Sequence, residues 1–248
     1  MAEYKFPTEV VDLPSKGYFY VEGHPLSKGK LEVKYMTAKE EDILTSQNLI
    51  EQGTVIDTLL QSLIVDKTVN VNELLIGDKN AIMVAARVLG YGKDYEFEYD
   101  GVEQKADLSI LEPVDIDFKN FTKGSNKFSY KLPNSKREVT FKLLNGHDEA
   151  KIESEIKARE KISKSQGYEL TTRLKHIILS VDGSSDKGYV NNFIDNEFLS
   201  RDSLAFRNYL NDITPDLDMT TKVVSSTGKE TTVVIPITLR FFWPAATI

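Results

Sequence analysis

The sequence predicts an α+β fold, with a helical N-terminal segment and a small antiparallel sheet, followed by a helix-rich C-terminal half that ends in a β-hairpin. Apolar residues recur at helical spacing over residues 54–65, which indicates an amphipathic helix. Alternating polar and apolar residues flank Asp100-Gly101, a pair typical of a tight hairpin turn. Two runs rich in Val and Thr flank residues 226–229, which predicts the terminal hairpin.

Local signals predict the N-terminal elements in order. Residues 31–35 alternate between apolar and charged, as in a half-buried strand. Thr37 and Glu40 have the spacing of a capping box, so a helix should begin there and end at Gly53. We then expect helical elements over residues 54–65, 71–76 and 79–89, the last capped by Asp78 and ended by Gly90-Tyr91-Gly92.

The rest of the chain predicts a central sheet and then helices. Strands are expected over residues 95–99, 102–108, 115–121, 127–132 and 138–144. A strongly charged helix should cover residues 147–163, followed by helical segments over 170–181, 187–196 and 201–211 and a hairpin of residues 219–225 with 231–239. A boundary near residue 145 would separate an N-terminal helix and sheet domain, residues 1–145, from a C-terminal helical domain with the terminal hairpin, residues 146–248.

The composition limits the classes of function. The chain has 248 residues, of which 40% are hydrophobic and 28% charged, enough for a core and unlike a disordered chain. No apolar run approaches the roughly 20 residues of a membrane-spanning helix, and residues 1–5 do not resemble a secretory signal. The absence of cysteine excludes disulfides and thiol nucleophiles, and the net charge of −7 disfavours nucleic acid as a partner. We therefore expect neither membrane nor nucleic-acid binding.

Residue types typical of catalytic and metal sites do not fall into a recognised spacing. The three histidines, His24, His147 and His176, lie far apart in the sequence. Asp182, Asp186 and Asp195 lie closer together, but Asp182-Gly183 is better explained as a turn than as part of a calcium loop. We therefore expect no catalytic residue, metal, cofactor or small-molecule substrate, and a protein that binds other proteins.

Two aromatic clusters, Tyr18-Phe19-Tyr20 and Phe241-Phe242-Trp243, supply candidates for such binding. One element seldom buries three neighbouring rings on one face, and aromatic rings are favoured interface anchors. The candidate partner contacts are Tyr18, Phe19, Tyr20, Phe241, Phe242 and Trp243. The sequence leaves open whether the two ends pack instead on each other or on their own domain cores, and both interpretations can hold together.

Several short segments resemble those of one family in the same order along most of the chain. They are Leu13-Pro14-Ser15-Lys16-Gly17 with Tyr20, Met36-Thr37-Ala38-Lys39-Glu40-Glu41-Asp42-Ile43-Leu44, Gly77-Asp78-Lys79-Asn80-Ala81-Ile82, Arg87-Val88-Leu89-Gly90-Tyr91-Gly92, Val181-Asp182-Gly183 and Phe241-Phe242-Trp243-Pro244. The family that they resemble is the baseplate hub assembly proteins of T-even-like contractile-tailed phages. The first two segments also resemble, more distantly, the tail assembly chaperones of other phages.

This resemblance implies a bacteriophage late protein that helps to build the central hub of the tail baseplate. It implies a chaperone-like factor that binds other baseplate or hub proteins transiently in the host cytoplasm, and leaves self-association open. A permanent subunit of the hub, present in the virion, is the alternative. A cell-wall hydrolase is a minor alternative, because the sequence places no two carboxylates together as a hydrolase requires.

One departure from the family concerns metal. Many members carry cysteine pairs that resemble small zinc ribbons, but the corresponding stretches here, residues 95–107 and 223–228, contain no cysteine. The resemblance therefore carries over no metal function. We expect the turns at Asp100-Gly101 and Thr227-Gly228 to hold these hairpins instead.

Overall fold

The computed structural model describes residues 7–162, 167–237 and 241–242, and the elements below lie in those ranges. The helices are α1 (Ala38–Leu44), α2 (Gln47–Gln52), α3 (Val55–Leu63), α4 (Ile76–Tyr91), α5 (Gly146–Ile162), α6 (Glu169–Ile177), α7 (Lys187–Asn192) and α8 (Ser200–Ile213). The strands are β1 (Thr8–Asp12), β2 (Lys30–Lys34), β3 (Asp94–Tyr99), β4 (Val102–Asp107), β5 (Phe128–Lys131), β6 (Glu138–Phe141), β7 (Ile178–Val181), β8 (Thr220–Val224) and β9 (Glu230–Val234).

The strands form small antiparallel sheets rather than one large sheet. The pairs β1–β2, β3–β4 and β8–β9 are two-stranded, and β5, β6 and β7 form a three-stranded sheet in that order. Because a two-stranded hairpin is only marginally stable alone, each must pack against other elements. The predicted α+β class and the terminal hairpin are confirmed.

Two clusters of buried apolar side chains hold these elements together. The first core contains side chains from Leu13 to Leu108, joined by Val223, Ile235, Phe241 and Phe242 from the end of the chain. The second core contains side chains from Phe128 to Ile213, joined by Phe19 and Leu75. Each core therefore draws on both sides of residue 145. Division into two domains at that residue stays a prediction, because packing clusters do not by themselves define folding units.

Several predicted boundaries are confirmed and others are wrong. The capping box at Thr37 and Glu40 begins α1 as expected, and the hairpin turn at Asp100-Gly101 joins β3 and β4. The single helix expected up to Gly53 is instead two, because the chain breaks at Thr45 and Ser46 between α1 and α2. Here local hydrogen bonds from a Thr side chain back to the α1 carbonyls compete with continuation of the helix.

Other corrections concern the type of element. Residues 115–121 do not form a strand, but include a short 3₁₀ helix at Phe118–Asn120 whose start is capped by Asp117. The helical segment expected over residues 170–181 divides into α6 and the strand β7, which completes the sheet beside β6. The helix expected over 187–196 is α7 followed by a π-helix at Phe193–Glu197. Strand β1, which no local signal predicted, is largely exposed and pairs with β2.

The charged helix α5 matches its prediction closely, although Ser163 lies outside the described residues. Ile152 is buried, while most charged side chains on the helix are exposed or half-buried. Oppositely charged pairs one turn apart, Glu153 with Lys157 and Glu155 with Arg159, support it. In the described ranges no helix is both long and apolar enough to span a membrane.

The capping box of α1 makes stability depend on pH through Glu40, whose side chain is fully buried. Burial alone would raise the pKa of Glu40, but hydrogen bonds from Lys34 and Thr37 outweigh it and lower the pKa to about 2. Because the folded-state pKa lies below the unfolded value, this stabilisation is present above about pH 4.5 and is lost as pH falls towards 2.

We therefore expect Glu40→Gln to lower the free energy of unfolding by roughly 2–3 kcal/mol at pH 7, with a gap to wild type that narrows below pH 4.5. Urea denaturation between pH 7 and pH 3 measures both effects. The neighbouring exposed Glu41→Gln is the control and should change little. A gap for Glu40→Gln that is independent of pH would contradict this role of the carboxylate.

Candidate functional site

The opening loop, residues 13–17, brings the first aromatic cluster into the protein interior. Lys16 and Gly17 adopt positive φ angles of 50° and 72°, which turn the chain sharply. Gly17 also approaches the backbone at Ser27 so closely that a Cβ there would lie 2.5 Å from the Ser27 carbonyl oxygen. This turn needs glycine, and it aims the following rings inward.

The first aromatic cluster lies within the chain's own packing. Phe19 is only 3% exposed and belongs to the second core. Its ring centroid lies 5.1 Å from that of Phe128 and 5.7 Å from those of Phe118 and Phe121, in the tilted and edge-to-face arrangements that aromatic rings prefer. Tyr18 packs at the margin and donates a hydrogen bond of 3.0 Å to the Phe121 carbonyl.

The third ring, Tyr20, belongs to a buried polar cluster centred on the carboxylate of Asp78. Asp78 Oδ1 accepts the Ser15 backbone N–H at 2.9 Å. Its Oδ2 accepts the Ser15 hydroxyl at 2.6 Å and the Tyr20 hydroxyl at 2.6 Å. The Tyr20 hydroxyl in turn accepts the Leu75 backbone N–H at 2.8 Å. We call Ser15, Tyr20 and Asp78 the carboxylate cluster.

Burial sets the electrostatics of this cluster. Asp78 and Ser15 are fully buried. Burial raises the pKa of Asp78 above its usual range, and the hydrogen bonds from Ser15 and Tyr20 oppose that shift. Burial and the nearby carboxylate also raise the pKa of Tyr20. The Ser15 and Tyr20 hydroxyls both donate to the Asp78 carboxylate, and they also accept the backbone N–H groups of Gly17 and Leu75, respectively. The cluster therefore holds the opening loop against α4 and leaves few hydrogen-bonding positions for a ligand.

The first turn of α4 contacts the end of α8 and the segment after it. A Cβ at Gly77 would lie 1.8 Å from the Pro215 carbonyl oxygen, so only glycine fits. Asn80 donates from Nδ2 towards both carboxylate oxygens of Asp216 at 3.1 Å. Lys79 pairs with Asp57 of α3 at 2.5 Å. Together with Asp78, these residues form four consecutive positions that contact three separate parts of the chain, and we call this turn, residues 77–80, the α4 junction.

The described part of the second aromatic cluster also lies inside. Phe241 and Phe242 are almost fully buried in the first core, 5.2 Å apart between ring centroids. Phe241 meets Tyr95 of β3 edge to face at 5.1 Å. Trp243 lies outside the described residues. The structure thus places Phe19 in the second core and Phe241 and Phe242 in the first, with Tyr20 packed against both, and the predicted role of the two clusters as partner contacts stays a prediction.

His24, His176 and the acidic residues that were candidates for catalysis or metal binding form hydrogen bonds or ion pairs with neighbouring groups of the fold. His24 Nδ1 accepts the Leu26 N–H and so caps the 3₁₀ helix at Pro25–Lys28. His176 lies 3.1 Å from Glu155 of α5. The remaining acids bind neighbouring groups: Asp182 binds Arg137, Asp186 caps α7 and Asp195 pairs with Lys175. Over the described ranges, no group of three or more such side chains could hold a metal ion.

The β3–β4 and β8–β9 hairpins lie side by side and contact each other at their tips. Asp100 accepts the Ser226 N–H at 3.0 Å and the Ser226 hydroxyl at 2.6 Å. Gln104 of β4 exchanges hydrogen bonds of 2.9 and 3.2 Å with the backbone of Val224. Since the chain has no cysteine, its residues do not fit a zinc ribbon.

The role of Asp78 differs from its prediction. It does not cap the helix from outside, because α4 begins earlier, at Ile76, and Asp78 lies within its first turn. Its partners Ser15 and Tyr20 lie about 60 positions earlier, a pairing that local patterns do not reveal. Pro215 and Asp216 were also missed. The available signal was that Ser15, Tyr20, Gly77, Asp78 and Asn80 all lie in the segments that carry the family resemblance.

Comparisons with known proteins place these observations in one family. A family model described as the T4 bacteriophage base plate protein matches residues 8–243. No curated protein and no solved structure matches the chain significantly.

The burial of Phe19 predicts the outcome of its removal. Phe19→Ala should lower the free energy of unfolding by about 3–5 kcal/mol, because it leaves a cavity among three aromatic rings. Thermal or urea denaturation measures the loss, and Leu204→Ala, at a side chain that is 53% exposed, is the control. A Phe19→Ala protein of unchanged stability that no longer binds its partners would contradict the core role and support the interface role.

Proposed function

The chain belongs to the T4 bacteriophage base plate protein family, and we propose that it is a non-catalytic, protein-binding factor in assembly of the tail baseplate hub. In this proposal it binds hub proteins transiently in the host cytoplasm, as a chaperone does, and leaves before the particle is complete. Its partners are other baseplate proteins of the phage.

The observation that carries this proposal is the position of the large aromatic side chains. Phe19, Phe241 and Phe242 are taken up by the chain's own cores instead of forming an exposed apolar patch. Permanent interfaces tend to be large and apolar, whereas short-lived ones are more polar. A protein that buries its rings internally suits a short-lived contact.

The exposed surface of α5 supports the same proposal. Lys151, Glu153, Lys157, Glu160 and Lys161 are all exposed and alternate in sign along the helix. Mixed charges of this kind keep a surface solvated while it is free, and they favour specificity and rapid encounter over tight burial. Such a surface suits a protein that spends part of its life unbound.

The proposed absence of catalysis is supported by how the polar groups are used. Within the described residues four carboxylates are buried, and each serves a structural purpose: Glu40 caps α1, Asp78 fixes the opening loop, Asp148 pairs with Lys142, and Asp202 accepts hydrogen bonds from the loop at Asn134 and Ser135. A hydrolase needs two carboxylates across a substrate cleft at a separation set by its mechanism. These four serve different parts of the chain instead.

Quantitative mass spectrometry of purified virions, with the infected-cell lysate measured in parallel, tests the proposal. We expect the protein to be abundant in the lysate and absent from virions. A structural tail protein of the same phage, quantified in both samples, is the control for recovery. A few copies per virion would overturn the transient role and establish the alternative, a permanent subunit of the hub.

A further inference from the structure

The C-terminal strap, which we define as residues 219–237 with Phe241 and Phe242, covers one side of the first core. It consists of the β8–β9 hairpin and the segment that follows it. The strap reaches its place only after the chain has passed through the whole second core. The segment just before it is fixed, because Asp218 donates its N–H to the Glu112 carbonyl at 2.8 Å and Leu217 bridges to Pro113.

Side chains rather than backbone pairing attach the strap. Within the described residues, no backbone-to-backbone hydrogen bond and no ion pair joins the strap to the rest of the chain. Polar attachments among the described residues include Asp100 with Ser226 at the tip, Gln104 with Val224 along the strand, and the Tyr95 hydroxyl with the Pro236 carbonyl at 2.8 Å at the base. Detaching the strap therefore disrupts no other sheet.

The apolar attachment is also limited. Val223, Ile235, Phe241 and Phe242 are four of the 25 buried residues of the first core, and Met219 and Val233 of the strap pack against it half-buried, so most of that core is built without the strap. At the base of the strap, a cleft of about 260 Å³ separates Thr220, Thr221 and Ile235 of the strap from the segment around Ile110. Regions with few buried contacts and exposed hydrogen bonds open at lower free energy than the core.

We infer that the strap opens as a unit while the rest of the first core stays folded. Opening uncovers the face of the Tyr95 ring that Phe241 contacts and frees Phe241 and Phe242, which are buried in the resting state. This inference concerns the isolated protein and does not rest on the proposed function.

Hydrogen exchange of the full-length protein, read by mass spectrometry peptide by peptide, tests the inference. Since a detached two-stranded hairpin is only marginally stable, the amides of β8 and β9 exchange whenever the strap opens. We expect them to exchange at least about tenfold faster than the amides of α4, after correction for intrinsic rates. Equal rates for the strap and α4 would overturn the inference, because the strap would then open only when the whole protein unfolds.

Two substitutions, at the exposed Ser226 and the half-buried Gln104, make the test more specific. Ser226→Ala and Gln104→Ala each remove side-chain attachments of the strap, and each should speed exchange of the strap about fivefold while α4 is unchanged. Ser109→Ala is the matched control, because Ser109 donates its N–H and hydroxyl to Asp107 as Ser226 does to Asp100, but within one segment. If Ser109→Ala speeds the strap as much as Ser226→Ala, or if the two variants speed α4 equally, the strap is not a separate unit.

Discussion

The rest of the structure depends on one constraint, a carboxylate buried among neutral hydrogen-bond donors in the first turn of α4. Asp78 is fully buried, so its desolvation must be offset by hydrogen bonds, and Ser15 and Tyr20 supply them. Meeting this requirement fixes the opening loop against α4. Phe19 lies between Ser15 and Tyr20 in sequence, and it is carried into the second core by the same loop. The polar requirement of one side chain therefore positions residues of both cores.

The same turn of α4 explains why the two cores are intertwined along the chain. Gly77 accepts the close approach of Pro215, and Asn80 holds Asp216, at the point where the chain leaves the second core. From there the chain returns to the first core, where the strap packs. The opening loop and the segment at Pro215 and Asp216 thus meet at the first turn of α4.

Local sequence patterns predicted the elements whose cause is local. The capping box at Thr37 and the turn at Asp100-Gly101 depend on neighbouring residues, and both were found as expected. The strand β7 was missed because its pairing with β6 lies about 40 residues away. The contacts of the α4 junction were harder to predict, because no sequence pattern near Asp78 indicates that Ser15 or Pro215 lies beside it. Ser15, Tyr20 and Asp78 lie in segments that resemble the family, but only the fold shows that they are in contact.

The central claim is that the α4 junction couples the two cores, and urea unfolding followed by hydrogen exchange at peptide resolution tests it most directly. In the wild-type protein, α3 of the first core and β6 of the second should lose protection at the same urea concentration. In Asp78→Ala, which leaves the donors of Ser15 and Tyr20 without their acceptor, the two transitions should separate. Transitions that already differ in the wild type, or that still coincide in a destabilised Asp78→Ala protein, would contradict the claim.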